Sequence, residues 1–336
     1  MSSRFVNISL LGLMILLTVT GGLALLWSQE LWLFEVHRTA GFALIALLPF
    51  KALLSARSYR RGLGRRAGRA LTLGGSSLLA GLTLLVMVLA LAWMWQLEPS
   101  RLRLFGLVDT LMSWHWILGF ALLPLFLLHT WITWPRPRTA DLLTRRSFLR
   151  LTGLSAAALA GWGFAGDVAG RREASASPRR PSGSRRDGWF SGNHFPVTSA
   201  AGDGPTLDAA SWRLRAAGGV ARPMELSYEE ILALQAVKIV ATLDCTVGWY
   251  TQQVWRGAPL ATLLEMCGAK DARWIRVSAA AGYAHTFAAT EAKSLLLATH
   301  VGGEVLDPAH GFPLRLVAPT RRGWFWVKWV ERIEVL

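Results

Sequence analysis

Two histidines in matching contexts offer the first chemistry in this chain. His37-Arg-Thr-Ala-Gly41-Phe-Ala-Leu aligns with His115-Trp-Ile-Leu-Gly119-Phe-Ala-Leu, and the match runs on through Pro49 and Lys51 against the region of Pro124 and His129. An imidazole binds iron, and a glycine one turn on lets a flat macrocycle lie against the helix. The pattern suits a b-type haem clamped between His37 and His115. A lone histidine near the end of an apolar run is more often an interfacial polar residue. Two at equal depth, in repeated settings, reverse that reading, because ionisable groups inside a membrane are expensive and default to function. His129 follows His115 by about 21 Å along a helix, nearly on the same face.

The elements that carry these histidines read as membrane spans. Of 336 residues 52% are hydrophobic and the mean hydropathy is +0.35, high for a soluble protein. Four apolar runs reach the length of a span, Phe5–Trp27, Leu33–Leu54, Leu71–Trp95 and Val108–Trp134. Many of the 17 Trp lie near the ends of such runs, as interfacial belts require. The loop with Arg57, Arg60, Arg61, Arg65, Arg66 and Arg69 should be cytoplasmic, and the charge-poor loops Ser28–Trp32 and Gln96–Leu107 outside. The N-terminus is then cytoplasmic and both His37 and His115 sit on the outer side.

Thr144-Arg145-Arg146-Ser147-Phe148-Leu149-Arg150 reads as a twin-arginine export signal in mid-chain. Its bland reading is a basic juxtamembrane stretch. A weaker, Ala- and Gly-rich fifth span, Leu151–Ala169, follows and leads outward, so the rest of the chain should be delivered folded to the far side. The stretch Arg171–Arg186 is rich in Ser, Pro and Arg and is expected to be a disordered linker. The net charge of +15 lies mostly in this linker and the cytoplasmic loops, which points to anionic lipid rather than nucleic acid.

From Asp187 the texture becomes α+β. Strands are expected at Trp212–Ala217, Val237–Leu243, Trp274–Ser278, Leu314–Ala318 and Trp326–Val335, mostly antiparallel, with helices at Tyr228–Leu234 and Ala261–Cys267. For the two cysteines of an exported domain a disulfide is the ordinary expectation. Cys245, however, ends a strand and opens the loop Thr246–Trp249, a place that suits a soft-metal thiolate. Cys267 sits in an apolar helical run and reads as a packing residue.

Residues 1–135 resemble the membrane cytochrome b modules of respiratory oxidoreductases. In di-haem members the position of His129 binds a second haem. Its partner here would be Lys51, a rare ligand, so one haem is expected and His129 is the candidate ligand of a second. Residues 187–336 resemble the sulfite-oxidase family of molybdenum enzymes. The likeness rests on Phe190-Ser-Gly-Asn193-His194-Phe-Pro-Val, Thr242-Leu-Asp-Cys245 with Trp255-x-Gly-x-Pro-Leu, His310-Gly-Phe-Pro-Leu-Arg315 and Val327-Lys328-Trp329.

The resemblance implies a molybdopterin cofactor with Cys245 on molybdenum, and Phe190, Asn193, His194, His310, Arg315, Val327 and Lys328 around the pterin. Arg315 and Lys328 would meet its phosphate. The family's substrate-holding arginines are replaced by Thr246, Val247, Gly248 and Trp249, and the Arg before Asn-His by Gly192. The pterin-loop Asp is replaced within Ser278–Tyr283, and the active-site Tyr falls near Thr299 or His300. The Gly-Trp after the cysteine is closer to periplasmic methionine-sulfoxide reductases.

The whole reads as a multidomain chain: an all-α membrane four-helix bundle with a fifth transmembrane helix (136–170), the linker 171–186, and an α+β molybdopterin domain. The expected function is oxygen-atom transfer at a sulfur or nitrogen centre outside the bacterial cytoplasmic membrane, with electrons exchanged through the haem with a quinone pool or another carrier. Expected partners are the bilayer, the twin-arginine translocation machinery and a small-molecule or protein-bound oxide. The rival is a non-catalytic pterin-fold sensing module on a haem-bearing anchor.

Overall fold

A computed structural model describes residues 3–26, 31–62, 67–97, 101–105, 107–133, 144–173, 179–198, 204–234 and 236–336. Arg65 and Arg66, and residues 174–178 of the linker, lie outside these. The chain divides into two units at Gly183/Ser184.

The first unit holds α1 (Ser3–Leu26), α2 (Leu31–Gly62), α3 (Ala67–Met94), the strands β1 (Arg101–Leu104) and β2 (Leu107–Thr110), α4 (Leu111–Thr133) and α5 (Arg145–Glu173). All five helices contain a segment long and apolar enough to cross a membrane. In hydrocarbon a backbone must satisfy its own polar groups, which a helix does internally. The closest helix pairs are α3 with α4 and α2 with α5.

The fourth span begins later than its hydropathy suggests. Val108, Asp109 and Thr110 pair with Arg101–Arg103 as an antiparallel hairpin. Thr110 then caps α4, its Oγ1 accepting from the Ser113 amide at 3.0 Å. Such a cap fixes where a helix starts. Val86, Leu89, Trp93, Leu111, Trp114 and Leu118 pack as one cluster at this end, and Trp114 Nε1 donates to Leu102 O at 2.8 Å. Helix α5 starts on the twin arginines themselves. Thr144 accepts the Ser147 amide at 3.2 Å, and Arg145 and Arg146 are exposed in the first turn.

The second unit is α+β. Its strands are β3 (Arg185–Arg186), β4 (Arg213–Gly218), β5 (Met224–Ser227), β6 (Val237–Asp244), β7 (Trp249–Pro259), β8 (Trp274–Ala279), β9 (Ala284–Ala288), β10 (Leu296–Val301), β11 (Glu304–Val305), β12 (Arg315–Val317) and β13 (Val330–Val335). Helix α6 spans Tyr228–Ala233 and α7 spans Leu260–Cys267. One sheet runs β11-β10-β7-β3, with β12 also on β10 and β6 also on β7; the other runs β5-β4-β13-β8-β9. Pairing is antiparallel except β13 with β4 and β3 with β7.

The composition of Arg171–Arg186 predicts disorder throughout, and the structure corrects this at both ends. Helix α5 continues to Glu173, and Arg185–Arg186 pair with Trp249–Tyr250 as β3. The last strand is shorter than its apolar run, starting at Val330 rather than Trp326. Trp329 has φ 55°, a left-handed conformation that breaks the extended chain just before it. Trp255, Leu260, Leu263, Ile275, Trp326 and Ile333 are fully buried in one core. Cys267 packs there too, and both cysteines are free thiols, so the ordinary expectation of a disulfide does not hold.

Candidate functional site

In the first unit the two repeated histidines meet. Their ring centroids are 6.2 Å apart and the planes perpendicular. His115 Nδ1 lies 2.9 Å from Val86 O, which can only accept, so His115 Nδ1 carries the proton and its Nε2 keeps the lone pair. Thr20 Oγ1 donates to Leu16 O at 2.6 Å and lies 3.0 Å from His37 Nδ1, a contact that suits the same tautomer at His37. An Nδ1 proton held by the protein is the arrangement that prepares an imidazole for a metal. Two metal–nitrogen bonds of about 2 Å plus the two ring radii come to about 6 Å. A Cβ added at Gly41 or Gly119 would meet nothing within 4 Å, so the space a flat group needs is open beside each histidine. The residues fit a bis-histidine haem.

His129 does not join this pair. Its Nδ1 lies 3.4 Å from Ser76 Oγ, and Lys51 donates to Asn7 Oδ1 at 2.9 Å.

In the second unit the four motif segments converge on the turn after β6. Cys245 N donates to Trp249 O at 2.8 Å and Gly248 N to Cys245 O at 3.2 Å, closing a turn that holds the thiol at a strand end. Burial pushes the Cys245 thiol up; the Val247 amide, the Thr198 hydroxyl and the Arg322 charge pull it back. A metal would replace that proton.

Arg315 and Lys328 face the same place. Arg315 is 2% exposed and lies over the rings of Trp255 and Trp326. Its Nη1 donates to His310 O at 2.7 Å, while its Nε is buried with no protein partner. Lys328 is 6% exposed and donates to Ala309 O at 2.7 Å and Thr198 O at 3.2 Å. Burial, then the neighbouring Arg315, lowers Lys328 to about 7, and burial lowers Arg315 to about 10. Neither is in a described ion pair with a carboxylate. Two buried cations without a counter-charge are unfavourable unless an anion completes the site. A cofactor phosphate would be such an anion.

His310 stacks on Phe195 at 3.9 Å, and burial lowers it to about 4, so it is neutral. Its Nε2 donates to Asn193 O at 2.8 Å, while its Nδ1 is buried and unpartnered, an acceptor left for a ligand. Gly311, at φ 111°, lets the chain turn against Lys328, whose Cα would stand 3.1 Å from an added Cβ.

The other expected pterin residues fall differently. Asn193 is a latch: its Nδ2 donates to Glu304 and to Val305 O, and its Oδ1 accepts the Asp307 amide at 3.0 Å. His194 is exposed near His310, and Phe190 is exposed at φ 48° against Trp189. Val327 is core, with its carbonyl accepting Leu316 N at 2.7 Å.

Four residues were given no role by the motifs. Asp244 and Arg322 form a buried ion pair at 2.8 Å beneath Cys245; Ser184 Oγ donates to Asp244 at 2.6 Å and Arg322 Nη2 to Cys245 O at 3.3 Å. Tyr283 OH accepts the Lys328 amide at 2.7 Å and acts electrostatically on Arg315. A tyrosine therefore does stand at the site, from the loop before β9 rather than near Thr299 or His300. Asp244 lies within the Thr242–Cys245 motif and Tyr283 closes the Ser278–Tyr283 stretch, whereas Arg322 and Ser184 lie in no motif.

A buried cysteine at a strand end, with two buried cations and no described carboxylate paired to them, suits a molybdopterin. Residues 201–336 match the family described as oxidoreductase molybdopterin binding domain. The chain is 34% identical over 145 residues to the uncharacterized oxidoreductase YuiH of Bacillus subtilis, covering 42% of this chain and 73% of that protein. It thus belongs to the molybdopterin-binding oxidoreductase family and is a molybdenum-dependent oxidoreductase. It is 30% identical over 146 residues to a putative protein-methionine-sulfoxide reductase subunit YedZ1 of Azospira oryzae, covering 42% of this chain and 56% of that one. Tomato nitrate reductase [NADH] is 26% identical over 43% of this chain, but only 19% of its own length. Among solved structures, the sulfane dehydrogenase SoxCD of Paracoccus pantotrophus matches 39% of each chain at 25% identity and a TM-score of 0.38.

Proposed function

We infer that the chain is a membrane-anchored sulfoxide reductase that draws its electrons through its own haem. The observation that carries the catalytic part is the pairing of Cys245 with the uncompensated Arg315 and Lys328. Bound there, the molybdopterin supplies two-electron oxygen-atom transfer. The protein's part is to hold it: Cys245 on the metal, Arg315 and Lys328 on the phosphate, His310 accepting through Nδ1. The Cys245 turn offers Thr246, Val247, Gly248 and Trp249 in place of arginines, and Trp249 is held by Thr198 at 3.1 Å. A turn that itself carries no cation, with Arg315 and Lys328 assigned to the cofactor phosphate, suits a neutral sulfoxide better than sulfite or nitrate. The similarity to the Azospira subunit supports a methionine sulfoxide.

The balanced reaction takes sulfoxide, two electrons and two protons to thioether and water. His37 and His115 would hold the haem, which would supply one-electron transfer between a quinol or another carrier and the molybdopterin. The twin arginines at the head of α5 route the folded, loaded domain outward, which fits a cofactor inserted in the cytoplasm. The test is an optical spectrum of the purified full chain with metal analysis. Reduced haem should be reoxidised by methionine sulfoxide, and the Cys245→Ser variant should lose both molybdenum and reoxidation. Reoxidation undiminished in that variant would remove the molybdenum site from the reaction.

A further inference from the structure

The first unit carries a second polar level that the haem reading does not use. At the outer level each of the first four helices gives one group: Thr20 from α1, His37 from α2, the Val86 carbonyl from α3 and His115 from α4. At the inner level the same helices give Asn7, Lys51, Ser76 and His129. Lys51 follows His37 by the same spacing that separates His129 from His115, about 21 Å of helix. Lys51 is bonded to Asn7, His129 approaches Ser76, and the Lys51 charge acts on His129. The two bonded pairs are thus linked across α2 and α4.

A lysine inside a span costs about 3 kcal/mol on insertion scales and marks function unless it reaches the interface. The tetrad does not suit a metal: the described residues contain no group of three His, Cys, Asp or Glu. Nor does it repeat the outer pair, since Lys51 stands where the second imidazole would be. It offers an ammonium donor and an imidazole that can give or accept a proton. None of its four side chains is fully enclosed. Beside Ser76, a Cβ added at Gly74 or Gly75 would meet nothing within 4 Å, so α3 is open at this level.

We propose that the Asn7–Lys51–Ser76–His129 tetrad binds the head group of a lipid-soluble quinol. Lys51 donates to one ring oxygen and His129 accepts from the hydroxyl of the other. This deepens the proposed function and rests on its electron route. Quinol and sulfoxide give quinone, thioether and water; the two quinol protons leave at this level, and two others are taken up with the oxygen atom.

The probe is a fluorescent quinol analogue, 2-heptyl-4-hydroxyquinoline N-oxide, titrated into the full haem-loaded chain in detergent and read by quenching. The expected result is one saturable class of site, weakened about tenfold or more in Lys51→Met and in His129→Leu, with haem content unchanged; a charge-assisted hydrogen bond is worth that much. Unchanged affinity in both variants, or no saturable binding to the wild type, would overturn the site. So would a halved haem content in His129→Leu, which would make His129 a haem ligand. A separate measurement adds a soluble quinol and follows haem reduction. If the analogue binds as expected but quinol never reduces the haem, the electron route fails and the site stands.

Discussion

Arg315 and Lys328 are the residues whose proposed chemistry is most open to test, because each is buried and neither is in a described ion pair with a carboxylate. Arg315→Met should leave the cofactor-free protein as stable or more so, since it removes an uncompensated buried charge. It should cut molybdenum content about tenfold or more, read by metal analysis beside a thermal melt. Lys328 gives a pH signature. Its folded value of about 7 lies below its unfolded value of 10.5, so between them the unfolded chain holds more protons. Cofactor-free protein should therefore gain stability as pH rises from 7 to 8.5, before the raised Cys245 begins to oppose the trend. Urea titrations should show that gain in wild type and not in Lys328→Met. The motifs named these cations in the sequence because they lie in short local signatures. Arg322 and Ser184 were not legible, since Arg322 reaches Cys245 from 77 positions away and Ser184 reaches Asp244 from 60.

The elements that hold the metal turn are β6, β7 and the loop between β12 and β13. That loop presses Gly323 against Asp244 and Cys245, where an added Cβ would stand 3.1 Å from Asp244 O and 3.2 Å from Cys245 Cα. Gly323→Val should lower metal loading with little change in secondary structure by circular dichroism. Breaking the Asp244–Arg322 pair is a larger insult. Asp244→Ala leaves a guanidinium buried alone and should cost about 3–5 kcal/mol in urea unfolding. At this scale the sequence was a fair guide where a run alternates or is capped, as at Val237–Asp244 and Tyr228–Ala233. Ser227 closes the latter with a capping box, exchanging bonds with Glu230. It misled at Val108–Thr110, which pair in a hairpin ahead of the helix, and at Trp326–Trp329, where buried residues sit in a turn instead of a continuous strand. Hydropathy records burial, and several backbone shapes can supply it.

For the whole molecule the order of parts follows from the route. Among the described residues five helices are long and apolar enough to cross a membrane, and under the proposed function the twin-arginine heptad at the head of the fifth and the molybdopterin domain after it would serve as anchor, signal and cargo. Changing Arg145 and Arg146 to Lys should strand the cofactor domain in the cytoplasm, read by protease protection in spheroplasts. The anchor's helices should remain inserted, because their hydropathy does not depend on the pair.

The tether itself ends inside the cargo. Ser184 is bonded to Asp244 beside the metal cysteine, and Arg185–Arg186 are stitched in parallel to the strand that leaves it. A soluble fragment therefore has a sharp starting point. Released by cleavage ahead of Ser184, the domain should keep its cofactor in free solution. Cut three residues later, at Asp187, it should shed molybdenum while the rest of both sheets survives. Where the leash is severed decides whether an enzyme or only its shell is set loose.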